Sequence, residues 1–364
     1  MDAMMDSMKE WVNSLPPRAD FFPVTQPAYA TLLTIFQYFL VIPLIQTLTP
    51  YYPQGKTSLP KSFLNLPGRW TWCIMESSGM INFIYILSTS DQGNGFSALS
   101  TWHKVFAVLY VLHYVNRAII TPLFLAPSMS PIHIEIALFA LSFHYISSSC
   151  WAFWLLGYKT VMSTGGTADA PGVMYDSTTA ASPELTGYMT YVPYVGLAIF
   201  LIGMYGNIQS ENTLFELRKE EAHRRQKQQA KVSASGKSIY DKVYVLPPAE
   251  GYFTSILFPH YVLEWIQWLG FLLIVISITN FDAAPAAEST SVAVVHLMPF
   301  YAPIAKFLTN TCGLPLPFPV LVTWVNVVAT TAVRARWGRT WYVERFGEKA
   351  VGARGAFVPY FKWL

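Results

Sequence analysis

The sequence predicts an all-α polytopic membrane protein built as a bundle of seven transmembrane helices. Composition is the first observation: the chain has 364 residues, 53% hydrophobic and only 12% charged, against about 25% charged in an ordinary soluble domain. The second is a series of apolar runs of about 20 residues, the length that crosses the hydrocarbon core of a bilayer. The third is that lysine and arginine cluster in a few of the intervening segments, which is typical of membrane proteins.

Each apolar run is bounded by proline, glycine or charged residues. The spans are assigned to residues 29–49, 70–88, 102–125, 132–156, 187–209, 256–278 and 316–334. Residues 1–28 then form an N-terminal lumenal segment, and 29–364 form one seven-helix membrane domain. A further apolar stretch, 292–308, is expected to be a re-entrant or surface-lying lumenal segment, because a full crossing would place the two most basic segments on opposite sides.

The basic residues give the expected orientation, because short basic loops remain in the cytoplasm. Residues 211–250 contain eight Lys or Arg, and the tail 334–364 contains seven. We therefore expect a cytoplasmic C-terminus and a lumenal N-terminus. The formal net charge is only +3, so the positive charge is local and gives no reason to expect a nucleic-acid partner.

Polar side chains inside the predicted spans indicate function, because ionisable groups in hydrocarbon are costly. Three spans carry such residues on one helical face, by the spacings i, i+3 and i+4. The faces are Tyr110, His113, Tyr114 and Arg117 in the third span, Asn207, Ser210, Glu211 and Arg218 in the fifth, and His260, Glu264 and Gln267 in the sixth. The second span adds Glu76. Each stripe alone fits a hydrogen-bond network between helices, whereas four spans together indicate an internal polar cavity.

The residue types narrow the chemistry of such a cavity. The seven histidines are scattered and no HExxH pattern occurs, so no metal site is expected. No GxSxG elbow is present, and the Gly-rich stretch 163–172 is assigned to a loop. Arg117, Arg218 and Arg334 lie at predicted cytoplasmic span ends, where guanidinium groups suit a phosphate-bearing cofactor. The ordinary basic margin of a membrane protein is the simpler explanation for most arginines there.

Five motifs follow one another across residues 66–364: LPGRWTWCIMES, LHYVNRAII, GMYGNIQSENTLFELRK, YVLPPAEGYFTSILFPHYVLEWIQWLGF and the ending RTWYVERFGEKAVGARGAFVPYFKWL. Together, and most clearly from about 187 onward, they resemble the steroid 5α-reductases, the 3-oxo-5α-steroid 4-dehydrogenases, in which these motifs occur in the same order. The resemblance implies a seven-helix, multi-pass protein of the endoplasmic reticulum membrane that binds NADPH within the bundle. It also implies an oxidoreductase that reduces a carbon–carbon double bond conjugated to a carbonyl, in a 3-oxo-4-ene steroid or a related lipid.

The family pattern implies roles for individual residues. Glu76 and Tyr114 correspond to the residues that hold the substrate carbonyl, and Trp72 to an aromatic residue beside the substrate. The positions that match cofactor contacts are Arg117, Asn207, Glu211, Arg218, Tyr244, His260, Glu264, Arg334 and Tyr342. Several departures from the family pattern weaken the transfer of the substrate. Among them, His260 stands where the steroid enzymes usually carry Asn, Glu211 replaces the more usual Asp, and the stretch after Arg117 lacks the basic residues that follow in those enzymes.

These residue types suit the implied reaction. Hydride adds to the β carbon of an enone only when the negative charge on the carbonyl oxygen is stabilised, and donors aimed at that oxygen lower the barrier. The Tyr114 phenol can donate directly. Glu76 can donate only if it is protonated, and otherwise it can accept a bond from a neighbouring phenol; the sequence leaves both roles open.

Other assignments share parts of these patterns. A very-long-chain trans-2-enoyl-CoA reductase usually has an additional ubiquitin-like region, which the 69 residues before Trp70 cannot hold beside a span; a polyprenol reductase is a related alternative. An isoprenylcysteine-type methyltransferase and a non-catalytic lipid-binding protein belong to other classes. The expected partners are a lipophilic enone and membrane lipids, without metal or nucleic acid, and the protein is expected to be a monomer.

Overall fold

A computed structural model describes most of the chain. The described residues are 15–49, 51–59, 61–90, 92–158, 160–164, 174–176, 187, 189–228, 239–240, 243–278 and 293–362. Several predicted features lie wholly or partly outside them: residues 1–14 of the N-terminal segment, 165–172 of the Gly-rich stretch and 229–238 of the basic run.

The described chain is mostly helical, as the composition predicts. The α-helices in chain order are α1 (Gln26–Gln37), α2 (Val41–Leu48), α3 (Gly68–Thr89), α4 (Thr101–Tyr114), α5 (Ile134–Leu155), α6 (Val192–Gln228), α7 (Pro259–Ile278), α8 (Tyr301–Lys306), α9 (Phe318–Phe346) and α10 (Glu348–Val351). A 3₁₀ turn, Tyr38–Leu40, joins α1 to α2. A π-helical segment, Val115–Leu125, prolongs α4 and contains Pro122, which cannot donate a backbone hydrogen bond.

Six helical stretches among the described residues are long and apolar enough to cross a membrane, which supports a multi-pass membrane protein. They are Gln26–Leu48, Thr101–Leu125, Ile134–Leu155, Val192–Gln228, Pro259–Ile278 and Phe318–Phe346. The remaining predicted span, 70–88, lies within α3. That helix has 22 residues but is not among the six, because polar residues such as Glu76 and Asn82 interrupt its apolar sequence. The predicted count of seven spans is therefore not confirmed.

The polar residues of α3 face neighbouring helices. Glu76 is only 7% exposed, and the Asn82 amide donates to the hydroxyls of Ser148 and Ser149 on α5 at 2.8 and 2.9 Å. Ile81 of the same helix is exposed. Such a helix has one apolar face and one face directed to a polar interior. Its average hydropathy is therefore similar to that of an amphipathic helix in a soluble protein.

Short strands depart from the all-α prediction. β1 (Asn65–Leu66) pairs antiparallel with β2 (Ile132–His133). β3 (Thr160–Ser163) lies between β4 (Met174–Asp176), which is antiparallel to it, and β5 (Ala293–His296), which is parallel. The described part of the stretch 292–308 thus forms β5 and α8, and a re-entrant path is not confirmed. Its sequence SVAVVH is rich in β-branched valine, which favours a strand.

Gln37 attaches β5 and the residues after it to α1. Its side chain is fully buried. The amide nitrogen donates to the carbonyl oxygen of His296 at 2.7 Å, and the amide oxygen accepts from the backbone N–H of Met298 at 2.6 Å. Both ends of a buried amide are therefore satisfied by one short stretch of backbone.

Glycines allow α6 and α7 to pack closely. A Cβ atom at Gly203 would overlap the backbone of Leu263 and Gln267, and one at Gly270 would overlap the backbone of Phe200. Small residues permit this close approach between membrane helices. The packing fixes the relative position of the polar faces that the two helices present to the interior.

Aromatic side chains from α4, α5 and α7 form the core beside this polar interior. The Trp151 ring lies 5.1 Å from Phe106 and 5.5 Å from both Trp268 and Phe271, measured between ring centres. The Trp151 indole N–H donates to the hydroxyl of Thr323 on α9 at 2.8 Å. Four helices are thereby held around the candidate site.

Candidate active site

Two adjoining cavities open among the helices. The first, of about 350 Å³, is lined by Arg117, Arg218 and Arg334 and is called the arginine cavity here. The second, of about 380 Å³, is lined by Glu76 and Tyr114 and is called the apolar cavity. The two share a wall made of Gln46, Thr49, Tyr51, Tyr52, Gln54, Trp72, Arg117 and Arg334. Ligands in the two cavities would therefore lie next to each other.

The arginine cavity combines positive charge with aromatic surface. Its three arginines face a single carboxylate among the described lining residues, Glu211. The aromatic lining consists of Tyr51, Tyr52, Trp72, Phe215, Tyr244, Phe258, Tyr261, Trp337, Trp341 and Tyr342. Guanidinium groups match phosphate oxygens, and aromatic faces accommodate planar rings. The arrangement suits an anionic ligand that also carries a planar ring.

Two of these arginines are held by neutral groups. The Arg218 Nε donates to the carbonyl oxygen of Val243 at 3.1 Å, and its Nη2 donates to the Ser128 hydroxyl at 2.7 Å. The Arg334 guanidinium carbon lies 4.9 Å from the ring centre of Tyr52 and 5.8 Å from that of Tyr261. Among the described residues neither arginine forms a salt bridge. Their positive charge is therefore left for a ligand.

The apolar cavity has a different lining. Hydrocarbon and aromatic side chains from the 3₁₀ turn after α1 and from α2, α5 and α9 make up much of it, including Phe39, Ile42, Ile45, Ile136, Phe139, Phe143 and Val327. Buried polar side chains from α3, α4, α5 and α7 line it as well: Glu76, His113, Tyr114, His144 and Glu264. A pocket with an apolar lining and a few convergent polar groups suits a largely apolar ligand with one polar end.

Arg117 connects the two cavities through ion pairs. Its Nε lies 3.1 Å from Glu76 Oε2, and its Nη1 lies 3.3 Å from Glu264 Oε1. The guanidinium also stacks over the Trp72 ring at 5.2 Å, and the Trp72 indole N–H donates to the Arg117 carbonyl oxygen at 3.2 Å. Arg117 is therefore engaged by protein groups, and it fixes the positions of both carboxyl groups.

Tyr114 and His144 stand next to Glu76 in the apolar cavity. The Tyr114 ring centre is 5.5 Å from that of His144, and His144 Nε2 is 3.6 Å from Glu76 Oε2. All three side chains are buried. A phenol, a carboxyl group and an imidazole therefore converge on the same part of the cavity.

The structure brings together nearly all the residues predicted from sequence. Glu76 and Tyr114 line the apolar cavity, and Trp72 belongs to the shared wall. Of the predicted cofactor residues, the arginine cavity contains Arg117, Glu211, Arg218, Tyr244, His260, Arg334 and Tyr342, while Glu264 lines the apolar cavity. Asn207 lines neither: it is buried and donates to the carbonyl oxygen of His260 at 2.8 Å, between α6 and α7. Its contact with a cofactor stays a prediction.

Tyr52, Ser128 and His144 are among the lining residues that the predicted set lacks. Tyr52 and Ser128 lie in connections between helices, where no periodic pattern marks them. His144 lies inside the predicted span 132–156 and belongs to none of the polar stripes. An ionisable residue within a span is itself a signal of function, and it is the one signal that could have found His144.

Comparisons with known proteins support the resemblance to the steroid 5α-reductases. A family model described as 3-oxo-5-alpha-steroid 4-dehydrogenase matches residues 175–285. The chain is 24% identical over 273 residues to Uncharacterized protein C9.08c of Schizosaccharomyces pombe, covering 71% of this chain and 84% of that protein. It is 25% identical over 256 residues to Steroid 5-alpha-reductase DET2 of Arabidopsis thaliana, covering 69% of this chain and 67% of that protein. The resemblance indicated by the five motifs is confirmed.

Proposed function

We propose that this chain, which carries the matched segment of the 3-oxo-5-alpha-steroid 4-dehydrogenase family, is an NADPH-dependent reductase. Its substrate would be a lipophilic enone, a 3-oxo-4-ene steroid or a related lipid, reduced at the carbon–carbon double bond conjugated to the carbonyl. The observation that carries the proposal is the shared wall: a cavity suited to an anionic ligand adjoins a cavity suited to an apolar one. Transfer between two bound molecules requires that proximity.

The arginines and the aromatic lining of the arginine cavity support NADPH as its ligand. Arg218 and Arg334, which have no carboxylate partner among the described residues, would face its phosphates. Tyr244 and Trp341 offer aromatic surface for a planar base. When bound, the cofactor would supply a hydride.

Tyr114 and Glu76 would act on the substrate carbonyl. The Tyr114 O–H can donate to the oxygen while negative charge develops on it, which stabilises the enolate. Arg117 holds the Glu76 carboxyl group beside this position. The buried setting excludes water, so each of these electrostatic contacts is stronger than it would be in solution.

The proposed location is the endoplasmic reticulum membrane, with the N-terminus lumenal and the C-terminus cytoplasmic. The distribution of lysine and arginine supports this orientation, since residues 211–250 and 334–364 hold 15 of the 24 basic residues. Both segments contribute residues to the arginine cavity, among them Arg218, Tyr244, Arg334 and Trp341. A cofactor from the cytoplasm would then meet the cavity directly.

The test is NADPH oxidation by the purified protein in lipid nanodiscs with a panel of 3-oxo-4-ene steroids, trans-2-enoyl-CoAs and polyprenols. We expect an enone steroid or related lipid to be reduced, with a product two mass units heavier than the substrate. Glu76→Gln is the matched inactive variant, and it should still bind NADPH.

Three results would count against the proposal. Preference for an enoyl-CoA or a polyprenol would move the substrate assignment to those classes. Consumption of S-adenosylmethionine with methyl transfer would replace the reductase by a methyltransferase. Lipid binding without NADPH binding would indicate a non-catalytic protein.

A further inference from the structure

His144 is a buried imidazole that has no role in the proposed reaction as described above. It is 6% exposed, lines the apolar cavity and places Nε2 at 3.6 Å from Glu76 Oε2. Its other nitrogen, Nδ1, is buried without a hydrogen-bond partner among the described residues. A histidine kept in the core for stability would normally have both nitrogens satisfied. This one is directed at a carboxyl group of the candidate site.

The backbone of α3 leaves room for this imidazole. Gly79 lies three residues after Glu76 on the same helix, and a Cβ atom there would meet His144 Nδ1 at 3.1 Å and the Tyr110 hydroxyl at 3.3 Å. Contacts of this length are tighter than ordinary van der Waals packing. Any larger residue at position 79 would push the imidazole relative to Glu76.

The ionised side chains at the junction of the two cavities carry an excess negative charge that one more proton would balance. Glu76 and Glu264 both pair with Arg117, so the trio carries one excess negative charge when both acids are ionised. Arg334, which lines both cavities, and Glu211, which lines the arginine cavity, add one formal charge of each sign, so they leave this excess unchanged. An unbalanced charge in a buried site is costly. A proton shared between Glu76 and His144 would balance the group.

The other titratable side chains near His144 do not remove this need. Tyr114 and Tyr110 of α4 are phenols, and His113 of the same helix faces the Trp268 ring at 4.9 Å between ring centres. Arg117 of the π-helical segment is already paired with the two carboxylates. Only Glu76 lies within ion-pair distance of His144 among the described residues.

We propose that His144 acts through Glu76 as a positioning residue: it orients the carboxyl group and returns to it the proton that the substrate takes up. This inference rests on the proposed function. Reduction of an enone adds a hydride with its two electrons, from a reduced nicotinamide, to the β carbon. The electrons of the double bond shift toward the carbonyl oxygen, and one proton, delivered through that oxygen, completes the α carbon.

The Tyr114 O–H bond breaks as its proton passes to the substrate, the Glu76 carboxyl group then gives a proton to the phenolate, and His144 restores the proton of Glu76. An N–H bond of the imidazolium breaks as an O–H bond of Glu76 forms, and the neutral imidazole regains a proton from water between turnovers. The 3.6 Å separation is longer than a hydrogen bond. Such contacts often tighten only when the substrate is bound.

The experiment compares His144→Gln with His103→Gln in nanodiscs. Glutamine reaches the position of Nε2 but cannot relay a proton. His103 is a second buried histidine, on α4, which contacts Ser100 and Trp154 and lines neither cavity. For each variant we would measure kcat, KM and the pH profile of enone reduction, the Kd for NADPH and the melting temperature. Gly79→Ala is the second route to the same contact, because it displaces the imidazole without removing it.

His144→Gln should lower kcat by roughly 10²-fold, at the lower end of proton-transfer effects, and change the pH profile. In His144→Gln, KM and the Kd for NADPH should stay within about twofold of wild type, and the melting temperature within a few degrees. Gly79→Ala should also lower kcat. An unchanged kcat and pH profile would overturn the inference. So would parallel losses of kcat, NADPH binding and stability, which would show that His144 only supports the fold.

A readout independent of turnover separates this inference from the proposed function. In protein labelled with ¹⁵N-histidine, the imidazole signals of His144 should titrate, and Glu76→Gln should change that titration while leaving His103 unaffected. If wild-type protein reduces no enone, the proposed function fails whatever these spectra show. If the His144 signals ignore Glu76→Gln, the shared proton is refuted even in an active enzyme.

Discussion

The two cavities differ in charge and in how their polar groups are satisfied. In the arginine cavity, Arg218 and Arg334 contact only neutral groups of the described protein, so neither guanidinium group is ion-paired there. In the apolar cavity, Glu76 is held by Arg117 and approached by His144. The arginine cavity therefore suits the binding of an anion. In the apolar cavity, by contrast, several fixed polar groups can act on a neutral molecule. Arg117 belongs to both, so the two sites are mechanically connected.

Removing the shared cation should have the largest effect. Arg117→Met would leave the buried Glu76 and Glu264 without their partner and should destabilise the protein by about 3–5 kcal/mol. Unfolding in mixed micelles, followed by tryptophan fluorescence, measures this loss. Adding Glu76→Gln to Arg117→Met should recover part of it, because one unpaired charge disappears. If the double variant loses as much stability as the two single variants combined, Arg117 and Glu76 are not coupled. The proposed connection between the cavities through Arg117 would then be wrong.

Removing the phenol should affect the apolar cavity alone. Tyr114→Phe deletes one donor to the substrate oxygen and should lower kcat by about 10²–10³-fold, as for other donors to a developing oxyanion. The Kd for NADPH should change less than twofold, because Tyr114 does not line the arginine cavity. Steady-state kinetics and fluorescence quenching by NADPH measure the two quantities. Weakening of both in proportion would contradict separate roles for the cavities.

Removing an unpaired cation should affect the arginine cavity alone. Arg218→Ala takes away a guanidinium held by Ser128 and Val243 and should raise the Kd for NADPH by about 10- to 100-fold, as expected for charge-assisted bonds. We assign Arg218 to the 2′-phosphate of NADPH, so NADH, which lacks that group, should lose much less affinity. Titration with each dinucleotide tests this. Equal losses of affinity for NADPH and NADH would show that Arg218 does not contact the 2′-phosphate.

A change outside both cavities should have the smallest effect on function. Gln37→Leu removes the two hydrogen bonds to the 296–298 backbone and should cost roughly 1–3 kcal/mol of stability, since buried groups lose their partners. Because Gln37 lines neither cavity, the Kd for NADPH and kcat should remain near wild type. Thermal unfolding and kinetics on the same sample provide both values. A large drop in kcat at unchanged stability would mean that β5 takes part in the site.

The sequence predicted the helices well because each long apolar run must become a helix to satisfy its backbone in a membrane. It could not settle the status of α3, since the polar residues that mark its inward face also lower its hydropathy. The strands β3 and β5 were not predicted because they are short and lie far apart in sequence. Their pairing is a tertiary contact, which local patterns do not contain.

The site was predictable to the extent that its residues share helical faces or family motifs. The stripes on α4, α6 and α7 identified Tyr114, Glu211 and Glu264, and the motifs added Glu76. Asn207 follows the same stripe as Glu211 but bonds the backbone at His260, so periodicity alone does not separate a helix contact from a ligand contact. The pairing of Arg117 with two acids depends on how three helices meet, and a linear pattern cannot supply it.

The central claim is that a hydride passes from the arginine cavity to a substrate in the apolar cavity. Its most direct test uses NADPH carrying deuterium at the transferable position of the nicotinamide, with a 3-oxo-4-ene steroid as substrate. We predict a saturated ketone with one deuterium at the carbon β to the carbonyl, and the same labelled product, formed more slowly, from Tyr114→Phe. Product without that deuterium, or no reduction of any enone by protein that binds NADPH, would contradict the account.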